Sequence, residues 1–142
     1  MNAEVWGPPA WTFLHSVTIN YPHNPTPEEK RHYFNFFDNL KNVLPCEICK
    51  KHYKTHLEEV PLLENIDSKD KLIRWLINIH NKINVMNGKK KWTYQEVIDH
   101  YDNLHINSAS KVNKNIGGKI ILLLLALAVC VYYIYSQKRK GK

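Results

Sequence analysis

Apolar residues in this chain recur at intervals of three and four, nowhere at intervals of two, and proline and glycine cut the pattern into short lengths. A period near 3.6 buries one stripe of a helix, whereas a half-buried strand needs strict alternation. The pattern therefore predicts an all-α fold. Trp6-Gly7-Pro8-Pro9 opens a first helix, with proline in the first turn, where its missing N–H is harmless. Trp11 and His15 share a face that Leu14, Val17 and Thr18 extend, and Tyr21-Pro22-His23-Asn24-Pro25 ends it. Thr26, Pro27 and Glu29 form a capping box for a second helix carrying the stripe Tyr33, Phe36, Phe37, Leu40 and Leu44. Pro45 separates it from a third helix, which ends at Val60-Pro61. After a loop from Glu64 to Ser68, the positions Leu72, Trp75, Leu76, Ile79 and Ile83 mark a fourth helix, stopped by Gly88. Thr93 and Glu96 make a second capping box for a short fifth helix, about Tyr94 to His105. The expected architecture over residues 1–105 is a four-helix bundle plus a short fifth helix.

Charge divides the chain unevenly. Residues 1–105 hold 13 Lys and Arg against 13 Asp and Glu, so the whole net charge of +7 lies in residues 106–142. A nucleic-acid-binding domain would carry its basic patch on the fold itself, so no nucleic-acid partner is expected. Residues 106–118 read as a linker rich in Asn, Ser, Lys and Gly. Residues 119–136 follow, with sixteen uncharged positions from Ile120 to Tyr135, close to the length of a membrane span. Tyr132, Tyr133 and Tyr135 suit an interface, and the basic tail 137–142 suits lipid headgroups. The reading is a single-pass C-terminal transmembrane helix, with Cys130 as a packing residue inside it. The N-terminus shows no signal-peptide pattern, which places the helical domain on the cytosolic, reducing side.

In a reducing compartment, a close pair of cysteines points to catalysis rather than stapling. Cys46-Glu47-Ile48-Cys49, preceded by Pro45, is such a pair. Haem attachment needs His directly after the second cysteine, and Lys50 stands there. Zinc and redox exchange are left. Cys46, Cys49, His52 and His56 are all good zinc ligands. One straight helix, however, sets Cys46 and His56 roughly 15 Å apart along its axis. The redox reading fits the local physics better. A cysteine at a helix start meets unpaired N–H groups that favour the thiolate, and Lys50 and Lys51 add positive potential. The competing expectation is a tail-anchored helical adaptor with a Cys/His zinc site and no catalytic activity.

A dithiol pair that makes disulfides must pass two electrons onward, and no side chain accepts them, so a cofactor is implied. The chain has no G-x-G-x-x-G motif for a dinucleotide on a Rossmann fold. A flavin held between helices is one arrangement open to such a bundle, since bundles often hold cofactors there. His80 and Asn84 face one way on the fourth helix, Trp11 and His15 pair on the first, and Lys89 follows Gly88 within reach of a phosphate.

Taken in order, these residues carry a resemblance. Trp11-x-x-x-His15, Tyr21-Pro22, Pro45-Cys46-x-x-Cys49-x-x-His52, Trp75-Leu76-x-x-x-His80-Asn81-x-x-Asn84 and Gly88-Lys89 resemble the Erv/ALR family of FAD-linked sulfhydryl oxidases. The resemblance covers about residues 6–104. It implies a helical bundle that holds FAD non-covalently, usually as a homodimer, with the cysteine pair beside the isoalloxazine. It implies that Cys49 is the sulfur next to the flavin and that Cys46 exchanges with substrate. It carries Trp11, His15, His52, His80, Asn81, Asn84 and Lys89 over as FAD contacts, and Tyr101 stands where the family commonly has a Trp near the adenine. The implied reaction oxidises thiols to disulfides and reduces O2 to H2O2, with no metal.

Three departures from the family pattern matter. Ile77 and Tyr94 stand where many relatives have a second disulfide, which typically contributes about 2–4 kcal/mol. No extra cysteine pair can shuttle electrons, so a separate dithiol protein, of thioredoxin-like kind, is expected to react directly at Cys46. The C-terminal anchor lies outside the family core. In its brevity the chain resembles the short forms carried by large DNA viruses, which implies a virion or host membrane.

Overall fold

The structure is a computed structural model that describes residues 2–104, 123–125 and 127. Among these residues every regular element is helical. The order is α1 (Ala3–Ile19), α2 (Pro27–Val43), α3 (Glu47–Glu59), a 3-10 turn (Leu62–Asn65), α4 (Lys69–Met86) and α5 (94–104). The chain divides into two compact units, Met1–Tyr101 and Asp102–Lys142.

Local chemistry explains most boundaries. Thr26 accepts the Glu29 N–H while the Glu29 carboxylate accepts the Thr26 N–H, so the predicted capping box closes at α2. The same reciprocal pair forms between Thr93 and Glu96 at the start of α5. Ser68 caps α4 through the Lys71 N–H. Gly88 takes a φ of 66°, the left-handed turn that ends α4 and that a Cβ would strain.

Two boundaries differ from the sequence reading. Helix α1 starts at Ala3 under an Asn2 cap, so Pro8 and Pro9 lie inside it rather than at its start. Their missing N–H groups leave the carbonyls of Glu4 and Val5 without helical donors, and both residues are exposed to water. The stretch after Pro61 coils into a 3-10 turn that buries Leu62 before the loop begins.

Helix α1 lies along α4, and α2 lies along α3. The main core collects Leu14, Tyr21, Phe37, Tyr53, Leu62, Ile66, Leu72, Trp75, Leu76 and Ile79. Phe37 meets Trp75 edge-to-face at 5.3 Å. The polar ends of its large side chains are bonded. The Tyr21 hydroxyl donates to the Ile66 carbonyl, Tyr53 to Phe37, and the Trp75 indole N–H to Val60, each at 2.9 Å. A second cluster of Ile73, Ile77, Val97 and Tyr101 seats α5 on α4.

The expected linker at 106–118, most of the expected span at 119–136, and the tail at 137–142 lie outside the described residues. Leu123, Leu124, Leu125 and Leu127 are helical and exposed. Among the described residues no helix is long and apolar enough to cross a membrane.

Candidate functional site

Pro45 creates the redox pair's geometry. It forces Leu44 into an extended conformation, ending α2, and Cys46 is extended as well, at φ −138° and ψ 121°. Cys46 thereby becomes the N-cap of α3, one residue earlier than the helical first turn the sequence suggests. Its Sγ accepts the Cys49 N–H at 3.3 Å. A cap and the residue three further on lie close together, and here Cys46 and Cys49 form a disulfide with their Cα atoms 5.1 Å apart. Both cysteines are half-exposed, and the flanking Val43 and Ile48 are well exposed. Lys50 bonds Glu47 at 2.7 Å, a pairing that holds the Glu47 carboxyl below its usual range. The positive potential expected from Lys50 is therefore largely offset, leaving the helix N-terminus and the exposed Lys51.

Cys46, Cys49 and His56, weighed as zinc ligands, have other partners. The cysteines are bonded to each other, His56 is bonded to Glu59 at 3.3 Å, and no group of metal-ligating side chains assembles among the described residues.

The helical register of α1 and α4 brings a second group together. Trp11 stacks on His80 with ring centres 3.9 Å apart and planes 7° from parallel. His15 Nε2 and His80 Nδ1 share a hydrogen bond of 3.0 Å. Tyr101 of α5 stacks on His15 at 4.9 Å. His15 is 0% exposed, and its Nδ1 has no hydrogen-bond partner among the described residues. Burial, with His80 and His100 nearby, pushes the His15 imidazole down to about 3. Burial and the charge of Lys89 push His80 down to about 4. Both rings are neutral at physiological pH, so one nitrogen of the shared bond donates and the other accepts. Burial raises the Tyr101 phenol, opposed by its side-chain hydrogen bond with Thr12.

Other expected contacts are distributed differently. Asn84 is buried near the end of α4, where its backbone carbonyl accepts the Lys89 N–H at 2.7 Å. Lys89 is exposed, with its charge felt at His80. Asn81 spends its amide on the backbone of Trp92. His52 sits half-buried on α3, one turn after Cys49. A cleft of about 360 Å³ borders His56, Glu59, Asn78, Lys82, Met86 and Lys91.

Two participants escaped the sequence reading. His100 meets both Trp92 and Tyr101 edge-to-face at 4.9 Å and depresses His15. Trp92 acts through its peptide group, for which a sequence carries no signal.

Comparison with known proteins agrees with this arrangement. The model of the Erv1 / Alr family matches residues 8–102. A probable FAD-linked sulfhydryl oxidase of Acanthamoeba polyphaga mimivirus is 44% identical over 100 residues, covering 70% of this chain and 70% of that protein. The mitochondrial FAD-linked sulfhydryl oxidase of Saccharomyces cerevisiae is 32% identical over 91 residues, covering 64% of this chain and 47% of that protein. The match thus spans about half the length of the yeast relative. The crystal structure of the FAD-binding domain of yeast Erv1 superposes with a TM-score of 0.67 at 29% identity, over 72% of this chain and 96% of that one. Helix order, capped cysteine pair and matched length lead to one assignment: the chain belongs to the Erv1/Alr family.

Proposed function

We infer that this chain is an FAD-linked sulfhydryl oxidase that makes disulfides in partner proteins. The observation that carries the reading is the half-exposed Cys46–Cys49 disulfide at the N-terminus of α3. The residues present fit the cofactor. His15 Nδ1, unpartnered among the described residues, offers a polar partner, Lys89 offers a cation for phosphate, and Trp11 and Tyr101 flank the two imidazoles with their ring faces.

The chain's own steps are thiol–disulfide exchange. A substrate thiolate attacks Cys46 Sγ, forming a mixed disulfide and releasing Cys49 as the thiolate. A second substrate thiolate then displaces Cys46, so the substrate leaves oxidised and the cysteine pair is left reduced by two electrons. The Cys49 N–H aimed at Cys46 Sγ stabilises the departing Cys46 thiolate. Cys49 is the sulfur on the cofactor side. Bound FAD supplies the two-electron acceptor that returns the pair to the disulfide and delivers the electrons to O2 as H2O2.

The same reading extends to partners and place. The substrate is a dithiol protein of thioredoxin-like kind, since no further cysteine pair is available to shuttle electrons. The active form is a homodimer. Residues 119–136 anchor the chain in a virion or host membrane with the helical unit on the cytosolic side, supported by the uncharged run and its exposed leucines. Flotation with lipid vesicles, lost on deletion of 119–142, tests the anchor, and sedimentation of the purified chain tests the dimer.

The decisive experiment is a visible spectrum of the full-length chain before and after a dithiol. A flavin band that bleaches without oxygen and recovers in air is expected. Cys49→Ser should keep the yellow colour and lose turnover by more than about a thousandfold. A colourless wild-type protein, prepared with FAD present, overturns the reading.

A further inference from the structure

We propose that Asn81 is a positioning residue: its amide clasps Trp92 to α4 and so fixes the loop that presents Lys89 and Lys91 to the cofactor's phosphates. The inference rests on the FAD reading above for its ligand, but its geometry stands alone. Asn81 Nδ2 donates to the Trp92 carbonyl, and the Trp92 N–H donates to Asn81 Oδ1, both at 2.8 Å. The side chain imitates a paired peptide, satisfying two backbone groups that the half-buried Trp92 would otherwise leave open. An amide held this way is not available to a ligand without breaking both bonds.

The loop is pinned at its other end as well. Gly88 turns the chain, and the Lys89 N–H bonds the Asn84 carbonyl. Residues 89–91 make up the short run between Gly88 and Trp92, and all three are lysines. Lys90 is drawn away to Glu96 at 2.6 Å. Lys89 and Lys91 make no ion pair among the described residues. The clasp therefore leaves two cations unpaired on a short, doubly tethered loop. Below it, Arg74 lies over the Tyr94 ring at 4.2 Å, and Tyr94 packs on the cluster containing Ile77. A crosslink between positions 77 and 94 would thus hold the same strand of chain by an independent route.

Flavin retention by the full-length chain separates positioning from contact. Asn81→Ala should weaken FAD binding about tenfold, the scale of losing two such bonds. Adding Ile77→Cys and Tyr94→Cys, oxidised, should return retention to within about threefold of wild type, because the loop is held again. If the crosslinked Asn81→Ala chain stays as weak as Asn81→Ala alone, Asn81 touches the cofactor and the proposal fails. Unchanged retention in Asn81→Ala overturns it too. Formation of the crosslink is checked by loss of the two new free thiols before retention is read. Should wild type bind no flavin, thermal unfolding followed by circular dichroism still decides: Asn81→Ala lowers the midpoint and the crosslink restores it. A midpoint that Asn81→Ala leaves in place sinks the clasp.

Discussion

The two buried regions of the helical unit are built to opposite standards. In the main core around Phe37 and Trp75, the large aromatic side chains with a polar end have that end bonded to a backbone carbonyl. In the cluster of Trp11, His15, His80 and Tyr101, a fully buried imidazole keeps one nitrogen without a partner among the described residues and stays neutral at a cost in basicity. Both are dense and aromatic, so packing alone does not distinguish them. The difference lies in hydrogen-bond satisfaction, because an open polar atom in a dry interior is destabilising and persists where a ligand completes it. The first region is closed in its hydrogen bonding, and the second leaves one nitrogen open among the described residues.

Substitutions can break that comparison. Phe37→Ala should cost about 3–5 kcal/mol in chemical unfolding, since Phe37 is 0% exposed and anchors α2 on Trp75. His15→Phe, of similar burial, should change stability by less than about 1 kcal/mol while losing flavin, because it removes the open nitrogen along with the bond to His80. Equal destabilisation by the two would show that both regions are structural.

Acid sharpens the contrast. The folded-state values of His15 and His80 lie at about 3 and about 4, below the unfolded value of 6.5. Below 6.5 the unfolded chain therefore binds more protons, so their contribution is complete above that pH and declines as pH falls toward 3. The unfolding midpoint should drop across this window, and His15→Phe should flatten the slope. An unchanged slope would show that His15 takes up a proton in the folded state.

In the core, Tyr53→Phe should cost about 1 kcal/mol, read in urea, by stripping the donor from the Phe37 carbonyl. Thr26→Ala should cost a similar or smaller amount at the exposed end of α2, where the capping box is lost. A larger loss from the exposed cap than from buried Tyr53 would contradict the view that the core's finished bonds matter most.

Much of this organisation was written in residue types. Thr26 with Glu29, Thr93 with Glu96, and Gly88 each signal a helix boundary through their own side chain or backbone freedom, and each sits where the sequence places it. The spacing of Leu72, Trp75, Leu76 and Ile79 gave the buried face of α4. Pro8 and Pro9 misled because the helix tolerates proline in its exposed second turn once Asn2 supplies a cap further upstream. At the site, spacing places His80 and Asn84 on one face but cannot tell which amide a peptide group will claim. Asn81 and Asn84 differ in role because Trp92 approaches the former, and that approach depends on how α5 packs.

Cys46 is both a reagent and the end of a helix. A disulfide sulfur is a weak acceptor, whereas a thiolate is a strong one, so the same N–H bond tightens when the pair is reduced. The first turn of α3 therefore keeps a record of electron count. Deuterium uptake at the Cys49 amide is the place to read that record, as slower exchange in the reduced protein. Serine would cap this helix better and carry no electrons, so at position 46 the chain keeps the poorer cap.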